Sequence, residues 1–142
     1  MPHTPRQYER LIRYARKAQK YSVAPFSRFR VGAALLADDG TIYTGCNVEN
    51  SSYGLTMCAE RTALFKAVSE GERKFTAIAI VSDDDGYTSP CGACRQVILD
   101  LAGNIDIVLA DRKGNVRIHT MGELLPHPFT AEDLRRYQRK KK

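Results

Sequence analysis

No run of apolar residues in this 142-residue chain approaches the ~20 positions that a transmembrane helix needs, so nothing in it reads as membrane-spanning. The opening residues, MPHTPRQYER, have no apolar stretch behind a basic start. The expectation is therefore a chain without a secretory signal, at home in the cytoplasm, where thiols stay reduced. Internal repeats, low-complexity linkers and composition breaks are also missing. One domain over residues 1–142 with a single core is expected. Cysteine is scarce, with four in all: Cys46, Cys58, Cys91 and Cys94. In a reducing compartment so few cysteines point to metal binding or catalysis rather than to disulfides.

A surplus of positive charge is present, +6 formally, but it is not spread over the chain. The last nine residues, LRRYQRKKK, carry six basic side chains and no acidic one. Without them the 22 basic residues fall to 16, against 16 acidic ones, so the body is neutral. The basic end from about residue 134 to 142 reads as a solvated, frayed tail. A nucleic-acid partner is not favoured by a neutral body, and no membrane partner is expected.

Residues 4–20 predict a helix with Thr4 as N-cap, Pro5 in the first turn and Gln7 completing a capping box. Tyr8, Leu11, Ala15 and Ala18 form its apolar stripe. Phe29–Leu36 and Thr41–Val48 predict a hairpin around Asp39-Gly40. CAERTALFKAVSEG predicts a helix that buries Ala63, Leu64, Ala67 and Val68 and ends at Gly71. FTAIAIVS reads as a strand buried on both faces. Ser89 and Pro90 read as the cap and first position of a helix burying Val97, Ile98 and Leu101 and stopped by Gly103. IDIVLA and NVRIHT are two more strands around DRKGN, and Thr130 with Asp133 can cap a short last helix. The order α, β, β, α, β, α, β, β, α predicts a mixed sheet covered by helices, with helix-linked strands side by side.

The chemistry gathers in two short stretches. SPCGACRQ places Cys91 and Cys94 three apart at a helix start, and TMCAER places Cys58 at another. Helix N-termini favour thiolate, the metal-binding form. Three thiolates on Zn²⁺ leave a fourth position for water, which is the catalytic arrangement. A closed structural site that includes Cys46 is the alternative. Strand alternation puts Cys46 with Ile42, Thr44 and Val48, as a small buried hydrophobe, and Asn47 and Glu49 on the opposite face. A dithiol redox pair fits less well, because it gives Cys58 and Glu60 nothing to do. Glu60, two residues after Cys58, is a carboxylate placed to move the protons of a hydrolytic water. Nucleobase zinc deaminases carry H-x-E and P-C-x-x-C. This chain has CAE at 58–60 and PCGAC at 90–94, with cysteine in place of the first histidine.

With these residues, and with SRFRVGAALL, GCNVENSSYGLTMCAERTALFKAVSEG and ELLP, the sequence resembles a cytidine deaminase of the small three-cysteine type over nearly its whole length. The resemblance implies an α/β fold: a three-layer α-β-α sandwich around a mixed five-stranded sheet. It implies one zinc per subunit on Cys58, Cys91 and Cys94, with Glu60 shuttling protons while hydroxide attacks C4 of cytidine or 2′-deoxycytidine. It implies substrate contacts from Phe29, Asn47, Glu49 and Ala59, and Arg61 against the zinc thiolates. Tyr53 and Phe129 would line sites of neighbouring subunits in a homotetramer. The family often has a small residue where LLPHPF places Pro128, and His127 reads as an exposed loop residue. Other readings are a deaminase of a related amino-pyrimidine nucleoside such as blasticidin S, a polynucleotide deaminase, and a non-enzymatic zinc module with four cysteine ligands that binds RNA.

Overall fold

In a computed structural model, which describes residues 4–141, five strands form one sheet: β1 (Val31–Ala37), β2 (Ile42–Cys46), β3 (Phe75–Ser82), β4 (Asp106–Ala110) and β5 (Val116–Thr120). Their order is β2-β1-β3-β4-β5, with β3 and β4 parallel and the other neighbours antiparallel. The helix-linked pair β3 and β4 lies side by side as expected, but β2 and β3 do not, because β1 pairs on both edges and sits between them. Every residue of β1 is buried. Ala34 and Leu36 face α1 (Arg6–Gln19), together with Ala77, Ala79, Val81 and Val108. Ala33 and Leu35 face the other core, which contains Ala63, Leu64, Ile78, Ile80 and Ile98 from β3, α2 (Ala59–Ser69) and α3 (Gly92–Ala102). Strand alternation thus gives the sheet two apolar faces, and the helices cover both.

The helix starts differ from the sequence reading in instructive ways. α1 buries Tyr8, Leu11, Ala15 and Ala18 as expected, and Ile12 as well, but Pro5 occupies the N-cap and, among the described residues, no side chain caps it. The Pro5 carbonyl accepts from the amides of Tyr8 and Glu9 at 2.9 and 3.1 Å, so the first turn closes on backbone and the Thr4–Gln7 box does not form. α3 starts two residues later than the Ser-Pro pattern suggests, with Cys91 as its N-cap. Its buried residues are Cys94 and Ile98; Leu101 is 37% exposed, on a groove shared with Phe65 and Leu134. Cys46 is half-buried, not fully buried, because β2 is an edge strand.

Beyond β5 lie a short α4 (Met121–Leu124) and α5 (Ala131–Lys140). α5 corrects the expected frayed tail, since the helix continues to Lys140. A reciprocal Thr130–Asp133 capping box starts it, and Glu132 and Asp133 pair with Arg135, Arg136 and Arg139. Among the described residues no helix is long and apolar enough to cross a membrane.

One close approach sets where the functional helix sits. A Cβ on Gly45 would lie 2.5 Å from the Ala63 amide nitrogen and 2.6 Å from the Ala59 carbonyl oxygen. Both are backbone atoms and cannot swing aside. Gly45→Ala is therefore expected to push α2 off β2 and cost about 1–3 kcal/mol, seen as a lower thermal midpoint; an unchanged midpoint would refute this close packing.

Candidate active site

α2 and α3 both begin at a cysteine. Cys58 is the N-cap of α2 and Cys91 that of α3, with Cys94 one turn on. The three sulfurs lie within 4.8 Å of one another, and those of Cys58 and Cys91 are 3.9 Å apart. Zinc–sulfur bonds of about 2.3 Å at tetrahedral angles place sulfurs about 3.8 Å apart, so the trio fits one zinc ion. Cys46 is not in this cluster. The Cys91 Sγ accepts from the Cys94 amide at 3.5 Å. The Cys58 thiol is lowered to about 5 by hydrogen bonding from Cys94 and from Arg61, whose Nη2 donates to its sulfur at 3.4 Å. The Cys94 thiol is raised by its hydrogen bond to Cys58 and by burial. Among the described residues, Arg61 Nε is buried without a hydrogen-bond partner beside this sulfur cluster. A guanidinium there would offset the negative charge that three thiolates would bring to a divalent metal.

Glu60 is 5% exposed. Burial, chiefly, pushes its carboxyl up to about 7, and the Cys58 thiolate adds to the shift. Such a group can take or give a proton near neutral pH.

Glu60 and two of the cysteines, Cys58 and Cys91, open onto a cavity of about 260 Å³ that Phe29, Asn47, Glu49 and Ala59 also line. Two loops build it. The Val23 amide donates to the Asn47 carbonyl and the Val23 carbonyl accepts from the Glu49 amide, while Val48 pairs with Met57. Asn47 Oδ1 accepts from the Val31 amide at 2.9 Å and from the Ser22 hydroxyl, and Nδ2 donates to the Phe29 carbonyl at 2.8 Å. One Nδ2–H is left for a ligand. Glu49 accepts from the Ser27 hydroxyl, which chiefly holds its carboxyl below the usual range, and from the Ser27 and Phe26 amides, which add to the shift. Tyr53 and Phe129 do not line this cavity. Tyr53, 73% exposed, lines an adjoining hollow with Phe26 and Glu49; Phe129, 61% exposed, lies on the groove with Leu101. His127 is exposed, with φ of 54° just before Pro128.

A family profile described as the cytidine and deoxycytidylate deaminase zinc-binding region matches residues 5–110, which contain all three clustered cysteines and Glu60. The chain belongs to the cytidine deaminase family. It is 54% identical over 127 residues to a cytidine deaminase of Sporosarcina psychrophila, spanning 89% of this chain and 93% of that protein. It is 52% identical over 125 residues to one of Halalkalibacterium halodurans, spanning 87% and 95%. Among solved structures, the cytidine deaminase of Burkholderia pseudomallei matches with a TM-score of 0.83 and 49% identity, over 86% of this chain and 98% of that one. The five-stranded α/β architecture is thus that of cytidine deaminases, and the chain is an enzyme whose cysteine trio suits one zinc ion.

Sequence reasoning missed part of this family member's cavity wall. Ser27, Thr56, Thr88 and Ser89 also face it. The polar SSYGLT and YTSP stretches carry no spacing that marks one hydroxyl as a lining group. The hydrogen bond from Ser27 to Glu49 spans 22 positions and appears only in three dimensions.

Proposed function

We propose that this enzyme hydrolyses cytidine and 2′-deoxycytidine to uridine and 2′-deoxyuridine, releasing ammonia. The observation that carries the reading is a buried carboxyl, Glu60, poised near neutrality in a nucleoside-sized cavity beside three clustered sulfurs. Cys58, Cys91 and Cys94 would hold a zinc ion, which would supply Lewis-acid activation of water. Glu60 accepts a proton from the water that adds at C4 and delivers it to N3. It then passes the second proton to the departing amine, so one water is consumed and one ammonia leaves. Asn47 offers its free Nδ2–H and Glu49 its acceptor oxygens to the sugar and base edge, and Phe29 and Ala59 give apolar walls.

The reading extends to a homotetramer in pyrimidine salvage in the cytoplasm. Tyr53 and Phe129 are large, exposed and outside the cavity of the single chain, as residues that complete a neighbouring subunit's site would be.

Glu49 is held ionised by its Ser27 and Phe26 donors. A phosphate on the sugar would meet this carboxylate, and a like-charge contact costs several kcal/mol. Absorbance assays should therefore give kcat/KM for CMP roughly 100-fold or more below that for cytidine. Comparable turnover of the two would overturn the substrate assignment.

A further inference from the structure

The three sulfurs are not equally braced. Cys94 is fully buried in the core, and Cys58 receives a hydrogen bond from Arg61. Cys91 is exposed and sits at the N-cap, where the preceding chain is not yet helical. Arg95 stands one turn further on, with its amide bonded to the Cys91 carbonyl at 2.9 Å. Its side chain reaches back. Nε donates to the Pro90 carbonyl at 2.8 Å and Nη2 to the Ser89 hydroxyl at 2.8 Å. Nη1 donates to the Leu124 carbonyl, at the end of α4, at 2.6 Å. The next residue acts in the same way, as Gln96 Nε2 donates to the Phe129 carbonyl at 2.9 Å.

We propose that Arg95 is a positioning residue for the metal ligand Cys91: its guanidinium locks the Ser89–Pro90 segment that leads into Cys91 and ties that segment to the end of α4. A planar fork with five N–H donors can serve three acceptors in different directions. Two of these flank the approach to Cys91, and the third anchors it to a separate element, so the Cys91 sulfur does not drift when metal leaves. Ser89 is also in the cavity wall, so the same clamp shapes the site. Partners of this kind, one shell behind a metal ligand, typically change metal affinity 10–100-fold.

The inference rests on Cys91 being a zinc ligand, and wild-type zinc content tests that separately: a wild type that binds no zinc would sink the metal assignment itself. For the clamp, zinc release from purified wild type, Arg95→Lys and Ser89→Ala is followed with excess chromogenic chelator, and melting is measured with and without zinc. Lysine keeps the charge but has one head. Arg95→Lys should release zinc 10–100-fold faster and show a smaller zinc-dependent rise in Tm. Ser89→Ala should move both readouts the same way by a lesser amount, and it decides the matter alone if Arg95→Lys does not fold. A merely structural role would lower the metal-free and zinc-loaded Tm equally. Zinc release within twofold of wild type from the folded variants would overturn the proposal.

Discussion

Glu60→Gln is expected to lower kcat by roughly 10²–10⁴ while the protein still carries one zinc per chain. Glutamine keeps the size of the side chain and can still hydrogen-bond, but it cannot take a proton from water or give one to the ring. Glu60 is almost fully buried, so its carboxyl is shielded from the bulk water that would otherwise compete as a proton carrier. The substitution also exchanges a desolvated carboxyl for a neutral amide at the same place, so fold stability should not fall with activity. Steady-state kinetics with cytidine, paired with metal analysis of the same sample, checks both halves. Full activity in the zinc-loaded variant would remove the carboxyl from the chemistry.

Cys94→Ala should be at least as damaging, by a different route. Cys94 has no exposed surface and lies among core residues of α3, α2 and the sheet, so it is the ligand fixed most firmly by packing. Alanine is the informative replacement, because a serine hydroxyl there would add a buried polar group of its own. Two remaining sulfurs fill only half of a tetrahedral shell, and the variant should lose zinc on dialysis against a chelator and show no turnover above background. Cys46→Ser, on the edge strand and outside the cluster, should keep both zinc and activity. Zinc loss in the Cys46 variant, or retention in the Cys94 variant, would reverse the ligand assignment.

The contrast between those two cysteines shows what was legible before the structure. Cys58, Cys91 and Cys94 stand in short local patterns at helix starts, where the helix end itself lowers the cost of a thiolate, so the cluster they form is foreshadowed in a few adjacent residues. The apolar run of β3 likewise reveals a sheet buried on two faces, and the Thr130–Asp133 box reveals the last helix. What was not legible depends on contacts distant in the chain. Ser89 looks like a helix cap, but its hydroxyl is taken by Arg95, and the Cys91 sulfur caps the helix instead. Leu101 follows the helical stripe yet lines an exposed groove with Phe65 and Leu134. β1 separates β2 from β3 because its own two edges are both paired, which no local pattern in the linking helix encodes. The basic end looked unable to order itself from charge alone. Its two first-turn acids and its capping box carry the helix through to Lys140.

At the centre of the proposed reaction stand three clustered sulfurs that would hold the metal and leave its fourth position to water beside Glu60. Zinc K-edge X-ray absorption on the freshly purified enzyme measures that shell directly. Three sulfur neighbours at about 2.3 Å and one oxygen at about 2.0 Å are predicted. A shell of four sulfurs would contradict this, for the metal would then have no place for the water that the reaction consumes.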